Sequence, residues 1–271
     1  MPSAITGLGL FYPPPPSIFL TAMSAISCTS LALIGVSEVR GKHLAYSKFW
    51  NANKPRGGGA DRVRISSRAG MLFLYTPALL AAAAAFAVPG LVADERGLLV
   101  ALALLLHFLK RDLEVLFVHQ FSGAIMLDSA ISISFSYFIH TVCILYAQYL
   151  ALGAPEPAVD LKYAGAVVFA IGMLGNLYHH CLLSKLRKKG DELSYKIPEG
   201  GLFGLVICPH YLFEILIWVG VALMAQTLNA SSFMLGSAFY LMGRSWATKR
   251  WYISKFESFP KGIKALLPYI Y

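Results

Sequence analysis

The segment Tyr195-Lys-Ile-Pro-Glu-Gly-Gly-Leu-Phe203 begins a run to the C-terminus in which charged and aromatic residues lie inside segments otherwise apolar enough to span a bilayer. Charged side chains are costly in lipid, so those found within such segments usually bind something or carry out chemistry. This stretch therefore indicates a membrane fold with a functional polar region inside it.

The composition of the whole chain also indicates a membrane protein. Of its 271 residues, 57% are hydrophobic and only 14% are charged, which is more apolar than a soluble core requires. The net charge of +9 does not indicate nucleic-acid binding, because the basic residues lie in short loops and form no continuous patch. We expect an integral membrane protein with no nucleic-acid partner.

The sequence gives no sign of a metal centre or a phosphate-binding loop. The four cysteines stand singly in apolar segments, so neither a disulfide framework nor a zinc site is predicted. Gly57 to Gly59 are not followed by the Gly-Lys-Ser/Thr of a phosphate-binding loop. A di-iron site would need several histidine clusters, and only His179 and His180 are adjacent, so no metal is expected.

Apolar segments predict seven transmembrane helices in an all-α, polytopic fold. The two predicted helices that begin at Gly97 and Ala230 would be only about 20 Å long, whereas the hydrocarbon core of a bilayer is roughly 30 Å thick. They are therefore expected to continue through the charged residues that follow. The predicted spans lie near Ser17 to Val36, Ala69 to Val88, Gly97 to Leu109, Ile125 to Leu150, Leu161 to Leu183, Leu202 to Leu228 and Ala230 to Gly243.

The distribution of basic residues predicts the orientation in the membrane. Alternate loops, at 37–69, 110–124, 184–200 and 244–271, contain 21 of the 23 lysines and arginines, and the remaining loops contain only Arg96 and Lys162. Basic loops stay in the cytosol. The N-terminus is therefore predicted to be lumenal and the C-terminus cytosolic.

Polar residues recur at helical spacing within the predicted spans and indicate a pocket open to the cytosol. A single residue such as Asn176 also fits an interhelical hydrogen bond, but several such faces near one side of the membrane favour a binding site. The sets predicted to share a helix face are Arg244, Thr248 and Tyr252; His107, Arg111 and Glu114; Asn176, His180 and Arg187; and His210 with Glu214.

Three C-terminal stretches carry a family resemblance. They are Gly190-Asp-Glu-Leu-Ser-Tyr-Lys-Ile-Pro-Glu-Gly-Gly-Leu-Phe203, Cys208-Pro-His-Tyr-Leu-Phe-Glu-Ile215 and the ending from Lys255 to Tyr271. They resemble the C-terminal domain of the steroid 5α-reductase family, the 3-oxo-5α-steroid 4-dehydrogenases, in a plant-type member. Upstream, the stretch from Leu106 to His119 is more similar to the trans-2-enoyl-CoA reductase branch.

The resemblance implies an activity, a cofactor and a location. Such proteins are seven-helix enzymes of the endoplasmic reticulum that use NADPH to reduce a carbon–carbon double bond conjugated to a carbonyl, in a lipid or steroid substrate. It divides the chain into N-terminal membrane helices with a basic cytosolic loop (1–99) and a reductase-like membrane domain (100–271).

The resemblance also implies a set of cofactor-binding residues. Arginines suit phosphate oxygens, an amide or carboxylate suits carboxamide or ribose groups, and tyrosines suit stacking or hydroxyl contacts. The residues at the matching positions are Asn176, Arg187, Tyr195, His210, Glu214, Arg244 and Tyr252.

Two positions differ from the steroid enzymes. Tyr75 and Phe108 stand where the resemblance implies a glutamate and a tyrosine that polarise the substrate carbonyl. Phe108 has no proton to offer, whereas a phenol with a pKa near 10 stays protonated at neutral pH and can donate to a developing oxyanion. We therefore predict Tyr75 as a catalytic residue, with His107 as a further candidate.

Three other functions remain open at the level of sequence. The first is 2-enoyl-CoA reduction in fatty-acid elongation. The second is a membrane methyltransferase, because isoprenylcysteine methyltransferases have a similarly placed cofactor domain, although the intact Tyr195 to Gly201 run argues against it. The third is a non-catalytic member that binds a lipid or a protein partner, which the changes at Tyr75 and Phe108 favour.

Overall fold

The protein is a bundle of α-helices in a computed structural model that describes residues 9–15, 17–44, 63–121, 123–186, 195–260 and 262–271. Within these ranges the chain forms seven α-helices, and the crossing of the membrane by all seven stays a prediction. They are α1 (Ile18–Val39), α2 (Ser67–Ala84), α3 (Glu95–Leu113), α4 (Leu127–Ala151), α5 (Lys162–Lys185), α6 (Pro209–Ala225) and α7 (Leu228–Lys255).

Four segments are long and apolar enough to cross a membrane. They are Ile18–Val39, Ser67–Ala87, Leu127–Ala151 and Lys162–Lys185, and α6 is a shorter apolar helix. In these four segments, 22 to 44% of the residues are buried within the protein, which leaves most of each apolar surface to face lipid. The fold is therefore that of a mainly helical integral membrane protein.

The two helices predicted to continue beyond their apolar parts do so. α3 ends at Leu113 and passes directly into a π-helix, Glu114–Val118. α7 runs on to Lys255. The polar faces predicted on these extensions are buried, with both Glu114 and Arg244 only 1% exposed. π-helical turns often occur at functional sites, and this one carries Glu114.

The start predicted for the sixth helix, at Leu202, is wrong. Residues Gly201–Gly204 form a 3₁₀ turn, and α6 begins only at Pro209. After this turn Val206 forms a β-bridge with Lys264, and the Ile207 N–H donates to Lys264 O at 2.9 Å, so these apolar residues pair with the C-terminal segment instead of forming a helix. Proline at the first position then starts the helix, because its missing N–H has no helical acceptor there.

A small β-ladder departs from the all-α prediction. Strands β1 (Arg64–Ser66) and β2 (Ala124–Met126) pair in antiparallel fashion with Ile65 opposite Ile125. They precede α2 and α4 directly, so the ladder joins the starts of these two helices. Three residues per strand are too few for a sheet domain, and the architecture remains helical.

Glycines bring two helix pairs into close contact. A β-carbon on Gly165 or Gly172 of α5 would lie 2.6 Å from a backbone nitrogen of α6, so only glycine fits at these positions. Gly35 of α1 lies equally close to Phe239 of α7, where an added β-carbon would be 2.5 Å from the carbonyl oxygen. Small residues allow membrane helices to approach closely, and Gly165 and Gly172 have this packing role between α5 and α6.

A buried arginine holds together another part of the bundle. Arg96, at the start of α3, is 1% exposed, and its Nη1 donates to Met224 O at 2.8 Å and to Gln226 Oε1 at 2.9 Å. Its Nη2 donates to Glu156 at 2.6 Å and Asp160 at 2.7 Å. One guanidinium thereby links α3, the loop between α4 and α5, and the turn between α6 and α7.

Candidate functional site

A cavity of about 370 Å³ lies among α2, α3, α5, α6 and α7 and the loop before α6. Its wall combines apolar side chains, such as Met71 and Leu241, with polar ones. Arg187 lies outside the described residues, and His107 is not part of the wall. The predicted site residues that line the cavity are Tyr75, Asn176, Tyr195, His210, Glu214, Arg244 and Tyr252.

The amide of Asn176 holds the polar floor of the cavity together. Its Nδ2 donates to His210 O at 2.9 Å and to Glu214 Oε2 at 3.2 Å. Its Oδ1 accepts from Lys110 Nζ of α3. These contacts join α3, α5 and α6, so Asn176 positions Glu214 as well as lining the cavity itself.

Tyr75 and Arg111 form a hydrogen-bonded pair in the cavity wall. Arg111 Nη2 donates to the Tyr75 hydroxyl oxygen at 2.6 Å, and the guanidinium carbon lies 4.7 Å from the centre of the tyrosine ring. A cation that donates to the hydroxyl oxygen makes the hydroxyl a stronger hydrogen-bond donor and stabilises negative charge on it. Tyr75 thus lines the cavity with its hydroxyl oxygen held by a cation.

Beside this pair, the Glu114 carboxylate forms ion pairs with two cationic side chains. Arg111 Nη1 donates to Glu114 Oε2 at 2.5 Å, and Lys110 Nζ donates to Oε1 at 3.1 Å. His180 Nδ1 lies 3.0 Å from Glu114 Oε2. Glu114 is 1% exposed, so these cations meet its charge in a site of low dielectric. The network fixes the direction of the Arg111 guanidinium and therefore of Tyr75.

The trio Glu114, His119 and His180 also has the residue types of a metal site, with potential ligand atoms within 4.8 Å of one another. Arg111 Nη1, however, lies 2.5 Å from the Glu114 oxygen and 3.0 Å from His180 Nδ1. A guanidinium therefore occupies the position beside the ligand atoms that a metal ion would need. Burial lowers the pKa of His119 to about 3, so this histidine remains neutral beside the guanidinium.

The loop before α6 is tied to α5 by His179. The Nδ1 of His179 lies 2.7 Å from Gly175 O and must donate to this carbonyl, so Nε2 accepts from the Leu202 N–H at 3.1 Å. A β-carbon on Gly201 would lie 2.6 Å from the same Nε2. The adjacent histidines thus differ: His179 holds the loop and His180 lines the cavity.

Aromatic rings form another side of the cavity. Tyr195 lies edge-on to Trp251 with ring centres 4.9 Å apart, and Trp251 lies 5.0 Å from Tyr252. The Tyr252 hydroxyl donates to Lys196 O at 3.4 Å. This group offers flat faces on which a base or ring can stack.

Arg244 lines the cavity but is already bound on another side. Its Nη1 donates to both carboxylate oxygens of Glu38 at 2.7 and 2.9 Å. Arg244 was predicted from sequence as a cofactor residue, whereas its partner Glu38 was not. An acidic residue at the end of an apolar span is itself a signal of function, and this signal would have identified Glu38.

His107 and Phe108 lie behind the cavity wall. His107 is 1% exposed, and its Nε2 lies 3.4 Å from Glu214 Oε1. Phe108 is fully buried between His107, Trp218 and Tyr137. In this position His107 contacts Glu214 and does not line the cavity. Phe108 contributes packing only.

The site contains residues to which the sequence assigns no specific role. Arg111, Glu114 and His180 lie on the polar helix faces that predict the pocket, but they are not among the predicted catalytic or cofactor-binding residues. Lys110 could be recognised as one more charge beside an apolar span. Its contact with Asn176 depends on how α3 and α5 pack, which no local pattern encodes.

Comparisons with known proteins support the same family. A family model described as 3-oxo-5-alpha-steroid 4-dehydrogenase matches residues 126–271. "Steroid 5-alpha-reductase DET2" of Gossypium hirsutum is 44% identical over 109 residues, 40% of this chain and 42% of that protein. "3-oxo-5-alpha-steroid 4-dehydrogenase 1" of Macaca fascicularis is 29% identical over 257 residues, 93% of this chain and 94% of that protein.

A human protein shows the same pattern of partial coverage. "3-oxo-5-alpha-steroid 4-dehydrogenase 2" of Homo sapiens is 38% identical over 132 residues, 47% of this chain and 52% of that protein. The chain thus spans about half the length of the Gossypium and Homo sapiens proteins in these matches. Because the family model covers more than half of the chain and includes the loop before α6, α6 and α7, the chain belongs to the 3-oxo-5-alpha-steroid 4-dehydrogenase family.

Proposed function

We propose that the protein is an NADPH-dependent membrane reductase of a carbon–carbon double bond conjugated to a carbonyl in a lipid substrate, of the 3-oxo-5α-steroid type. The observation that carries this proposal is the Tyr75–Arg111 pair, which faces the same cavity as the residues expected to hold the cofactor. An activated phenol is the group that such a reaction needs at the carbonyl oxygen.

The residues of the cavity fit a dinucleotide phosphate. Arg244 and Lys196 offer cations for phosphate oxygens. Glu214, held by Asn176, offers acceptors for a carboxamide or for ribose hydroxyls. Tyr195 and Tyr252 offer hydroxyl groups and ring faces. We assign Arg187 to the same phosphate-binding group from its sequence position alone.

The mechanism requires charge stabilisation at one oxygen. NADPH, when bound, supplies the hydride that is added to the β-carbon. Negative charge then develops on the carbonyl oxygen, where the Tyr75 hydroxyl donates a hydrogen bond and Arg111 stabilises the electron density drawn onto the phenol oxygen. The α-carbon takes up a proton from solvent to complete the reduction. Apolar wall residues such as Met71 and Leu241 exclude water and match a lipid substrate.

We also propose the orientation and location. The basic loops favour a lumenal N-terminus and a cytosolic C-terminus, and the family favours the endoplasmic reticulum. In this orientation the cofactor enters from the cytosol and the lipid enters laterally between helices. Residues 1–99 supply α1, α2 and the start of α3, and residues 100–271 supply the cofactor-binding part.

Reduction of a 2-enoyl-CoA thioester is the second candidate. It is favoured by the Lys110, Arg111 and Glu114 network, which comes from the stretch of sequence similar to that reductase branch. It is also favoured by Phe108, which supplies no phenol at the position where the steroid enzymes have one. Both candidates use the same hydride chemistry and differ in the carbonyl compound.

The test is substrate identification followed by turnover. Lipids that copurify with the full chain are extracted and identified by mass spectrometry, and oxidation of NADPH is followed with these lipids, with 3-oxo-Δ4 steroids and with 2-enoyl-CoA thioesters. We expect oxidation with at least one of them and its loss in Tyr75→Phe. NADPH binding without oxidation of any of them would favour a non-catalytic lipid-binding role.

A further inference from the structure

A shielded negative charge stands directly behind the cavity at Arg244. The guanidinium lines the cavity, whereas Glu38, which accepts two hydrogen bonds from its Nη1, is not part of the wall. The two side chains are 1% and 0% exposed. In such an environment the charges interact much more strongly than at a wet surface.

The sequence of α1 explains how Glu38 reaches this position. Gly35 lies against the backbone of α7 at Phe239, and Gly236 of α7 lies against Ser27 of α1, where a β-carbon would be 2.9 Å from a carbonyl oxygen. Close contact along this helix pair carries the end of α1 up to Arg244. His43 Nδ1, at 2.5 Å, and the backbone N–H of Leu44 complete the surroundings of the carboxylate.

We propose that Glu38 is a built-in counter-ion of Arg244 that competes with the phosphate groups of the cofactor and thereby weakens cofactor binding. The inference rests on the proposed function, in which Arg244 contacts phosphate. Glu38 lies outside residues 126–271, the part matched by the family model. A phosphate that approaches Arg244 meets a guanidinium whose charge is already balanced and whose Nη1 is engaged.

Weaker binding of the cofactor favours its release after each reaction cycle. Release of product or cofactor limits the rate of many enzymes, and a cavity with uncompensated arginines would hold both oxidised and reduced cofactor tightly. Arg111 shows the same arrangement, since Glu114 stands behind it as Glu38 stands behind Arg244. Each of these two cavity arginines is therefore backed by a buried carboxylate.

A role in folding alone gives a different result from a role as competitor. Removing one partner of a buried ion pair leaves the other uncompensated and destabilises the protein. If Glu38 serves only folding, its loss lowers stability and weakens or leaves unchanged the binding of NADPH. If Glu38 competes with phosphate, its loss lowers stability and strengthens the binding of NADPH, because the cofactor then balances the exposed charge of Arg244.

The experiment measures NADPH dissociation constants by calorimetry on the full chain in detergent. Glu38→Gln keeps the shape of the side chain and removes its charge, and we expect it to bind NADPH about three- to thirty-fold more tightly. The double variant with Arg244→Gln should bind as weakly as Arg244→Gln alone. Glu257→Gln, which removes an exposed carboxylate outside the cavity wall, is the matched control and should bind as the native chain does.

Equal or weaker NADPH binding by Glu38→Gln would overturn the inference. If that variant does not fold, Glu38→Asp takes its place. Its carboxylate is one methylene further from Arg244, so we expect a smaller increase in NADPH affinity than in Glu38→Gln. Unchanged or weaker binding again refutes the competition.

Failure of the proposed function gives a separate result. A native chain that does not bind NADPH refutes the proposed cofactor, and the inference about Glu38 is then judged with inorganic pyrophosphate, measured by the rise in unfolding temperature that it causes. A larger rise in Glu38→Gln than in the native chain supports the counter-ion role. An equal or smaller rise overturns it.

Discussion

Replacement of Arg96 by methionine tests the reasoning about buried polar groups most directly. Methionine is similar in length but donates no hydrogen bond, so Met224 O and Gln226 Oε1 lose their bonds to the guanidinium. Loss of a partner for a buried acceptor costs about 1–3 kcal/mol. Gln226 Oε1 keeps the N–H of Leu161 at 2.9 Å, so its cost lies at the lower end of this range.

Loss of the ion pairs with the acidic partners of Arg96 lowers stability less than loss of the bonds to its buried acceptors. The side chains of Glu156 and Asp160 are 55% and 40% exposed, so they return to water, and each lost ion pair costs at most about 1 kcal/mol. Relief from burying the arginine charge offsets part of the total. We therefore expect Arg96→Met to lower the free energy of unfolding by about 2–4 kcal/mol, or the melting temperature by roughly 5–15 °C.

The assay is thermal unfolding in detergent, followed with a thiol-reactive fluorescent dye. Cys143 and Cys208 are buried thiols, so the dye reports on opening of the bundle. Glu156→Gln is the matched control and should cost about 1 kcal/mol or less because this carboxylate is half exposed. A fall in melting temperature below about 2 °C for Arg96→Met would refute the assigned role of Arg96.

Four further outcomes are expected. Tyr75→Phe should reduce the native reaction by roughly 100- to 1000-fold in kcat, measured by NADPH oxidation, and full activity would remove Tyr75 from the catalytic residues. The resemblance implies a carboxylic acid and a phenol at the positions of Tyr75 and Phe108, so turnover of 3-oxo-Δ4 steroids should be weak and should rise in Tyr75→Glu with Phe108→Tyr; strong turnover by the native chain would contradict this. NADPH should bind more tightly than NADH by about 1.5–3 kcal/mol, and Arg244→Ala should weaken NADPH binding in calorimetry; equal affinities would count against the proposal. A cysteine introduced at Lys261 should react with a membrane-impermeant reagent in sealed microsomes, whereas reaction only after the lumen is opened would invert the topology.

Acidification should destabilise the protein through His119. Burial lowers the pKa of His119 to about 3, whereas the ordinary value is near 6.5. Between these two pH values the unfolded chain binds a proton on His119 that the folded chain does not bind. The contribution of His119 to stability is present above about pH 6.5 and is lost as the pH falls toward 3. His119→Asn should flatten the decrease in melting temperature between pH 7 and 5, and an unchanged slope would contradict this.

The sequence alone determined the helical membrane class and the family. Apolar length and sparse charge predict the helices because a bilayer imposes a minimum span and excludes unpaired backbone groups. The continuation of α3 and α7 followed from the same length argument. The predicted start of α6 is wrong because residues 202–208 are largely apolar, and apolarity does not distinguish a helix from a segment that pairs with Lys264.

Sequence reasoning also identified seven residues of the cavity wall. Residues such as Asn176, Glu214 and Arg244 are polar groups inside apolar spans, where their cost in lipid makes them conspicuous. Helical spacing places residues on one face of a helix but does not state which neighbour that face meets. His107 illustrates the limit, because it shares a face with Arg111 and Glu114 yet lies behind the wall rather than on it.

Only the tertiary structure decided which charges meet. Glu38 and Arg244 are 206 residues apart, and Lys110 and Asn176 are 66 apart. These pairs form because glycines let helices approach to within contact of backbone atoms and because a buried charge must find a partner. Sequence therefore supplied the residue types of the site, whereas helix packing determined their pairing, since contacts between distant residues depend on the packing of whole helices and not on any local pattern.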